Sequence, residues 1–291
     1  MRGRLLILAT ALLWSTAGVV VKYLSWNAFS IAGFRGLLSM LTLMAFRCAN
    51  GRKGFASVCP RFSKANVCTG LFMFLTSTSY TLAIKMTTAA NAVVLQYIAP
   101  MLVMLYAVMF EAHKPDLTSI LLTIAVFVGC LLTFAGKLSF RGALGNGIAL
   151  LSGFALAGQV IVSRKTEGGS LDGLMIGSGL SFVVFFSWLF FEPMETFTIS
   201  ALLAAAFLGI IQYGLANICY AKGMMQTDAV TASLLLTLEP VLAPIWVYLT
   251  LGEKPSGFEL IGLCCVIAAV SLHTLLTGRK KLRAKEAKGG G

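Results

Sequence analysis

Charge is scarce in this 291-residue chain: 12% of its residues are Asp, Glu, Lys or Arg, about half the ~25% of a soluble domain. Acids are scarcer still, 11 against 23 basic residues, and there are only 2 His. A water-soluble protein must cover itself with polar groups. Too few are present here to cover a chain that is 58% hydrophobic, which excludes a soluble enzyme, a disordered chain and a disulfide scaffold. The seven Cys form no C-x-x-C and have no His at zinc spacing, so no metal site is expected, and they read as small buried hydrophobes. H-E-x-x-H, G-x-S-x-G and the P-loop are all missing. Those gaps argue against an intramembrane enzyme and against direct use of ATP by this chain alone; no cofactor is expected. No N-x-[ST] sequon occurs, and the terminal Gly-Gly-Gly is set aside from fold reasoning.

What is present is a series of long apolar runs. A helix crossing ~30 Å of hydrocarbon needs about 20 residues, and ten such runs fill the chain: 4–22, 27–47, 64–84, 90–110, 116–136, 142–163, 171–191, 200–222, 228–250 and 256–277. Backbone groups in lipid must be satisfied within the segment, so the runs predict helices, and no alternating ten-residue pattern suggests a barrel. The predicted class is an all-α integral membrane protein with ten transmembrane helices. Basic residues set its orientation. With the N-terminus inside, inner loops and tails hold 17 Lys and Arg, outer loops hold 5, and Arg35 is left within a span. Both termini are therefore expected in the cytoplasm, with the chain in the inner or plasma membrane. The net charge of +12 would suggest nucleic acid in a soluble protein; here the basic loops and tail face anionic lipid headgroups, and no nucleic-acid partner is expected.

An N-terminal signal peptide is the rival reading of Arg2 and Arg4 before an apolar stretch. It is rejected because the segment belongs to a repeat. At an offset of 140, Tyr80–Pro115 aligns without gaps on Tyr220–Pro255, with nine of 36 positions identical, among them Pro100/Pro240 and Lys114-Pro115/Lys254-Pro255. The unit is five helices. Five is odd, so the second unit enters the membrane upside down. Such inverted repeats build many secondary transporters, with the substrate near mid-membrane at the repeat interface. The expected units are residues 1–137 and 138–278, with a basic cytoplasmic tail at 279–291.

Leu238-Glu239-Pro240-Val241 followed by Leu251-Gly252-Glu253-Lys254-Pro255, with Leu12-Leu13-Trp14-Ser15 and Phe34-Arg35, resembles the motif set of EamA-type transporters of the drug/metabolite transporter superfamily. The resemblance spans both halves, roughly 5–277. It implies export of amino acids or other small metabolites by alternating access, with organic cations, drugs or nucleotide-linked metabolites as alternative cargoes. A channel-like facilitator is the rival mechanism. One departure stands out: Ala99-Pro100 occupies the first half where Glu239-Pro240 occupies the second.

Counting along the spans puts Glu239 near the bilayer centre and Arg35 about 12 Å deep. A charge there costs about 2.5–3.5 kcal/mol on insertion scales, so each needs a partner, neutralisation or a wet cavity. Glu239 reads either as a substrate or proton site or as a structural hydrogen-bonding group. Arg35 is expected to meet Glu239, a substrate carboxylate or helix-end carbonyls. Trp14, Gln96, Tyr97, Gln212, Tyr213 and Asn217 complete the candidate lining, an aromatic and amide wall suited to an amino acid or organic cation, with core packing as the alternative use. Pro100, Pro240 and Pro244 are expected to kink their helices, freeing the carbonyls of Gln96, Leu236 and Pro240 for a ligand or a hinge. Gly173-x-x-x-Gly177 allows close helix approach within the chain or in a homodimer. His113 and His273, at span ends near the inner face, are expected to be solvated or interfacial.

Overall fold

A computed structural model describes residues 2–50, 58–111, 115–134, 142–166, 170–251 and 257–289. These residues are almost wholly helical. We number the helices α1 (Arg2–Trp14, then Ala17–Tyr23), α2 (Ala28–Ala49), α3 (Lys64–Met86), α4 (Ala89–Gln96, then Ala99–Phe110), α5 (Leu117–Phe134), α6 (Ala143–Lys165), α7 (Leu171–Phe185, with a 3₁₀ extension Phe186–Phe191), α8 (Ile199–Ala206, a π segment Phe207–Leu215, then Ala216–Met224), α9 (Ala229–Leu236, then Leu238–Leu251) and α10 (Gly257–Gly289). Eight are long and apolar enough to cross a membrane, and the shorter apolar runs in α5 and α9 complete the ten. Large apolar side chains such as Leu71, Leu105, Val183 and Leu203 point outward, as a surface bathed in lipid requires. The basic tail, expected as a separate segment, is helical and continues α10 to Gly289. His113 and the Lys-Pro pair at 254–255 lie outside the described residues.

The helices are arranged as two inverted five-helix repeats. α3 packs on α6 and α7, and its counterpart α8 packs on α1 and α2; α4 lies against α6 as α9 lies against α1. α2 meets α7, α4 meets α9 and α5 meets α10, each helix pairing with its own counterpart. Every major contact thus has a partner under exchange of the halves.

Close approach rests on small residues. A methyl group added at Gly177 of α7 would lie 2.7 Å from the Gly70 carbonyl oxygen, and one added at Gly173 would lie 2.5 Å from Thr69. The Gly-x-x-x-Gly face, which the sequence left open to a second copy, is used within the chain to seat α7 on α3. At the N-terminal face Arg47, almost fully buried, pairs with Asp172 of α7 and donates from Nη1 to the carbonyls of Val58 (2.9 Å) and Cys59 (2.8 Å). His273 is buried in α10, so it is not solvated. In so apolar a chain, the inward face of a helix cannot be told from its outward face by composition.

Candidate functional site

Pro100 and Pro240 do not bend continuous helices. Each of these helices stops and restarts, and the proline sits in the first turn of the new segment, where its missing N–H leaves no gap. Pro100 follows a break at Tyr97–Ile98, and Pro240 follows a break at Thr237. These positions are equivalent across the repeat. The caps match as well: the Thr88 hydroxyl accepts from the Asn91 N–H (3.1 Å) and the Asp228 carboxylate from the Thr231 N–H (2.8 Å). Of the freed carbonyls, that of Gln96 packs so tightly on Gly153 of α6 that an added methyl would come within 2.8 Å, and that of Leu236 lies 3.0 Å from the Tyr97 hydroxyl. Pro244 continues the second segment of α9, beyond the break.

Between the halves lies a small cavity, partly open to its surroundings. Six of the eight expected residues line it: Trp14, Arg35, Gln96, Gln212, Tyr213 and Glu239. Tyr97 and Asn217 do not. Tyr97 is fully buried behind the wall, where its single hydroxyl bridges Glu239 Oε2 (2.6 Å) and the Leu236 carbonyl. One O–H has one proton for these two acceptors, so it ties the acid to the break of α9 and the first repeat to the second. Asn217 is wholly buried, toward the N-terminal end of the site.

Arg35 and Glu239 face the same cavity without pairing: among the described residues, Arg47–Asp172 is the ion pair within 4.0 Å. Arg35 Nη2 donates to the Ser77 carbonyl (3.3 Å), the Ser77 hydroxyl and the Thr81 hydroxyl (3.0 Å), and the guanidinium carbon lies 4.5 Å from the centroid of the Tyr213 ring. Neutral hydroxyls and a π face hold the cation without neutralising it. The Gln96 amide donates to Ser152 (2.7 Å), which donates to the Thr76 carbonyl (3.2 Å), joining α4, α6 and α3 in one wall. Gln212 and Tyr213 sit on the π segment of α8, an irregularity often found at functional sites.

Sequence reading missed Ala17, Thr76, Ser77, Tyr80, Leu156 and Gln159, which complete the lining. A signal existed: residues 76–81 read Thr-Ser-Thr-Ser-Tyr-Thr, six hydroxyls in succession inside an apolar span. Ser and Thr are inconspicuous in membrane helices because they bond back to their own helix, as Thr76 does to the Phe72 carbonyl (2.8 Å) and Thr81 to that of Ser77 (2.8 Å).

The sequence profile of the EamA-like transporter family matches residues 1–135 and again 143–275. The chain belongs to the EamA-like transporter family. It is a multi-pass membrane transporter. An uncharacterized transporter of Archaeoglobus fulgidus is 26% identical, the alignment covering 94% of this chain and 97% of that protein. An uncharacterized inner membrane transporter of Salmonella typhimurium, YicL, is also 26% identical, covering 97% and 98%. A solved crystal structure superposes with a TM-score of 0.75 at 20% identity, covering 94% of this chain and 97% of that one, and so shares its fold.

Proposed function

We propose that this EamA-like protein is a secondary-active exporter of small zwitterionic metabolites, amino acids or close relatives, working by alternating access. One observation carries the reading. Arg35 and Glu239 line one cavity and do not neutralise each other. A zwitterion offers a carboxylate for a bidentate contact with the guanidinium and an ammonium for the acid. The aromatic rings of Trp14, Tyr80 and Tyr213 give its side chain an apolar wall. An organic cation would suit Glu239 but would meet Arg35 as a like charge.

The remaining features follow from this reading. The two repeats, units 1–137 and 138–278, rock about the site so that it opens to one face and then the other. The chain lies in the inner membrane with both termini cytoplasmic, as its basic residues favour. Glu239 is the group through which proton exchange would drive export. The partners are the substrate and the bilayer.

The test is a thermal-shift screen of purified protein against amino acids, organic cations, nucleosides and sugar nucleotides at two pH values. A ligand at 100-fold its Kd should stabilise the protein by about 2.7 kcal/mol. Stabilisation by an amino acid that disappears in both Glu239→Gln and Arg35→Gln supports the zwitterion site. Stabilisation by organic cations alone, untouched by Arg35→Gln, overturns it.

A further inference from the structure

The inverted repeat relates residues separated by 140. Ser77 and Tyr80 of α3 line the cavity. Their counterparts on α8 are Asn217 and Tyr220, and the register between them is uninterrupted because the π segment ends at Leu215. Both counterparts are fully buried. Both amide atoms of Asn217 lack a hydrogen-bond partner within the protein, and the Tyr220 hydroxyl lies beside the side chains of Ser163 and Gln159 of α6. Buried polar atoms left without partners are costly, and native proteins rarely retain them without a use.

These groups form a seam that begins where the cavity ends. Tyr213, Asn217 and Tyr220 follow one another at helical spacing on one face of α8, and Tyr213 lines the cavity. Gln159 also lines the cavity and adjoins Tyr220. The Trp14 ring closes the boundary: it lines the cavity on one side and stacks on Tyr220 on the other, with centroids 5.7 Å apart and planes 26° apart.

We propose that Asn217, Tyr220 and Ser163, with Gln159, are the lining of the pathway in its alternate state, open toward the N-terminal face, and that the Trp14 ring is the partition that must swing aside to wet them. The inference rests on the transporter reading above. In the present state Asn217 and Tyr220 are fully buried, and the Asn217 amide makes no hydrogen bond within the protein. In the alternate state water and the polar ends of a small metabolite fill the seam. The exchange of halves that relates the two faces of the protein relates the two linings.

The experiment uses single substitutions Ser163→Cys, Asn217→Cys and Thr76→Cys in the full-length protein in sealed vesicles. A membrane-impermeant methanethiosulfonate reagent is applied from one side at a time, and modification of the introduced residue is read by peptide mass spectrometry. Thr76→Cys, on the present cavity, should react from the face opposite the N-terminus. Ser163→Cys and Asn217→Cys should react from the N-terminal face only, at roughly 0.1–10% of the rate of a freely exposed thiol, the occupancy range of a minor conformer. Tryptophan replacement by Trp14→Ala should raise both rates. Protection of both positions from both sides, with Thr76→Cys still reactive, overturns the alternate lining and makes the seam static packing. Failure of Thr76→Cys to react from either side contradicts instead the cavity on which the transport reading stands. Two positions on different helices guard against one variant failing to fold.

Discussion

α4 and α9 occupy equivalent places in the two repeats and share one backbone plan. Each is capped by an oxygen-bearing side chain at equivalent positions, Thr88 and Asp228, breaks at 97 or 237, and restarts with proline at 100 or 240. Their chemistry differs entirely. The first half places Gln96 and Tyr97 at the break and Ala99 before the proline; the second places Leu236 and Thr237 there, and Glu239 before the proline. Tyr97 then reaches across to Glu239 and to the carbonyl of the other break. The symmetry fixes where the irregular backbone falls, and the departures from symmetry make the site. α3 and α8 repeat the lesson, with a regular helix supplying the hydroxyls and its π-distorted counterpart supplying Gln212 and Tyr213.

The comparison can be broken most forcefully at the α2–α7 pair, whose two ends are held differently. Arg47→Met leaves two carbonyls without their donor and Asp172 with the Arg61 backbone N–H alone and should cost about 3 kcal/mol, the low end for breaking a buried pair because Asp172 is partly exposed. At the other end Phe185 stacks on Phe29 and Phe74, and Phe185→Leu should cost only about 0.5–1.5 kcal/mol in lost ring pairing. Melting in detergent would rank them, and equal shifts would contradict the buried-pair account.

Glu239→Gln should slow flux into liposomes by about 10–100-fold, the loss of one charged hydrogen-bonding group at ~1.5–3 kcal/mol, while the protein still folds. Adding Ala99→Glu to that variant should not restore flux, because the counterpart position is buried behind the wall. Restored flux would show that the halves are chemically interchangeable after all.

A smaller effect separates two glycines of α6. Gly153→Ala drives a methyl onto the Gln96 and Leu95 carbonyls and should destabilise by about 1–3 kcal/mol. Gly147→Ala meets no atom within 4 Å and should be neutral or stabilise by up to about 1 kcal/mol. Smaller again is Tyr97→Phe, which removes one hydroxyl from two acceptors and should lower stability by about 0.5–1.5 kcal/mol. Its flux should fall less than that of Glu239→Gln. A larger fall would move Tyr97 from positioning the acid to contacting the substrate.

Sequence alone determined the membrane class, the helix count and the five-helix repeat. Those properties are local or periodic: apolar length answers to the bilayer thickness, and a repeat is visible wherever two prolines recur in register. It also marked Arg35 and Glu239, since a charge at mid-span is conspicuous anywhere. Only the tertiary structure decided that the two share a cavity unpaired, that Tyr97 clasps rather than lines, that Asn217 is hidden, and that the Ser77 and Thr81 hydroxyls hold the arginine. The physical reason is the solvent. In water the polar face of a helix announces which side is out, but in lipid both faces are apolar. The rotation of each helix about its axis is therefore set by glycine contacts and hydrogen bonds between distant segments, and no single helix records it.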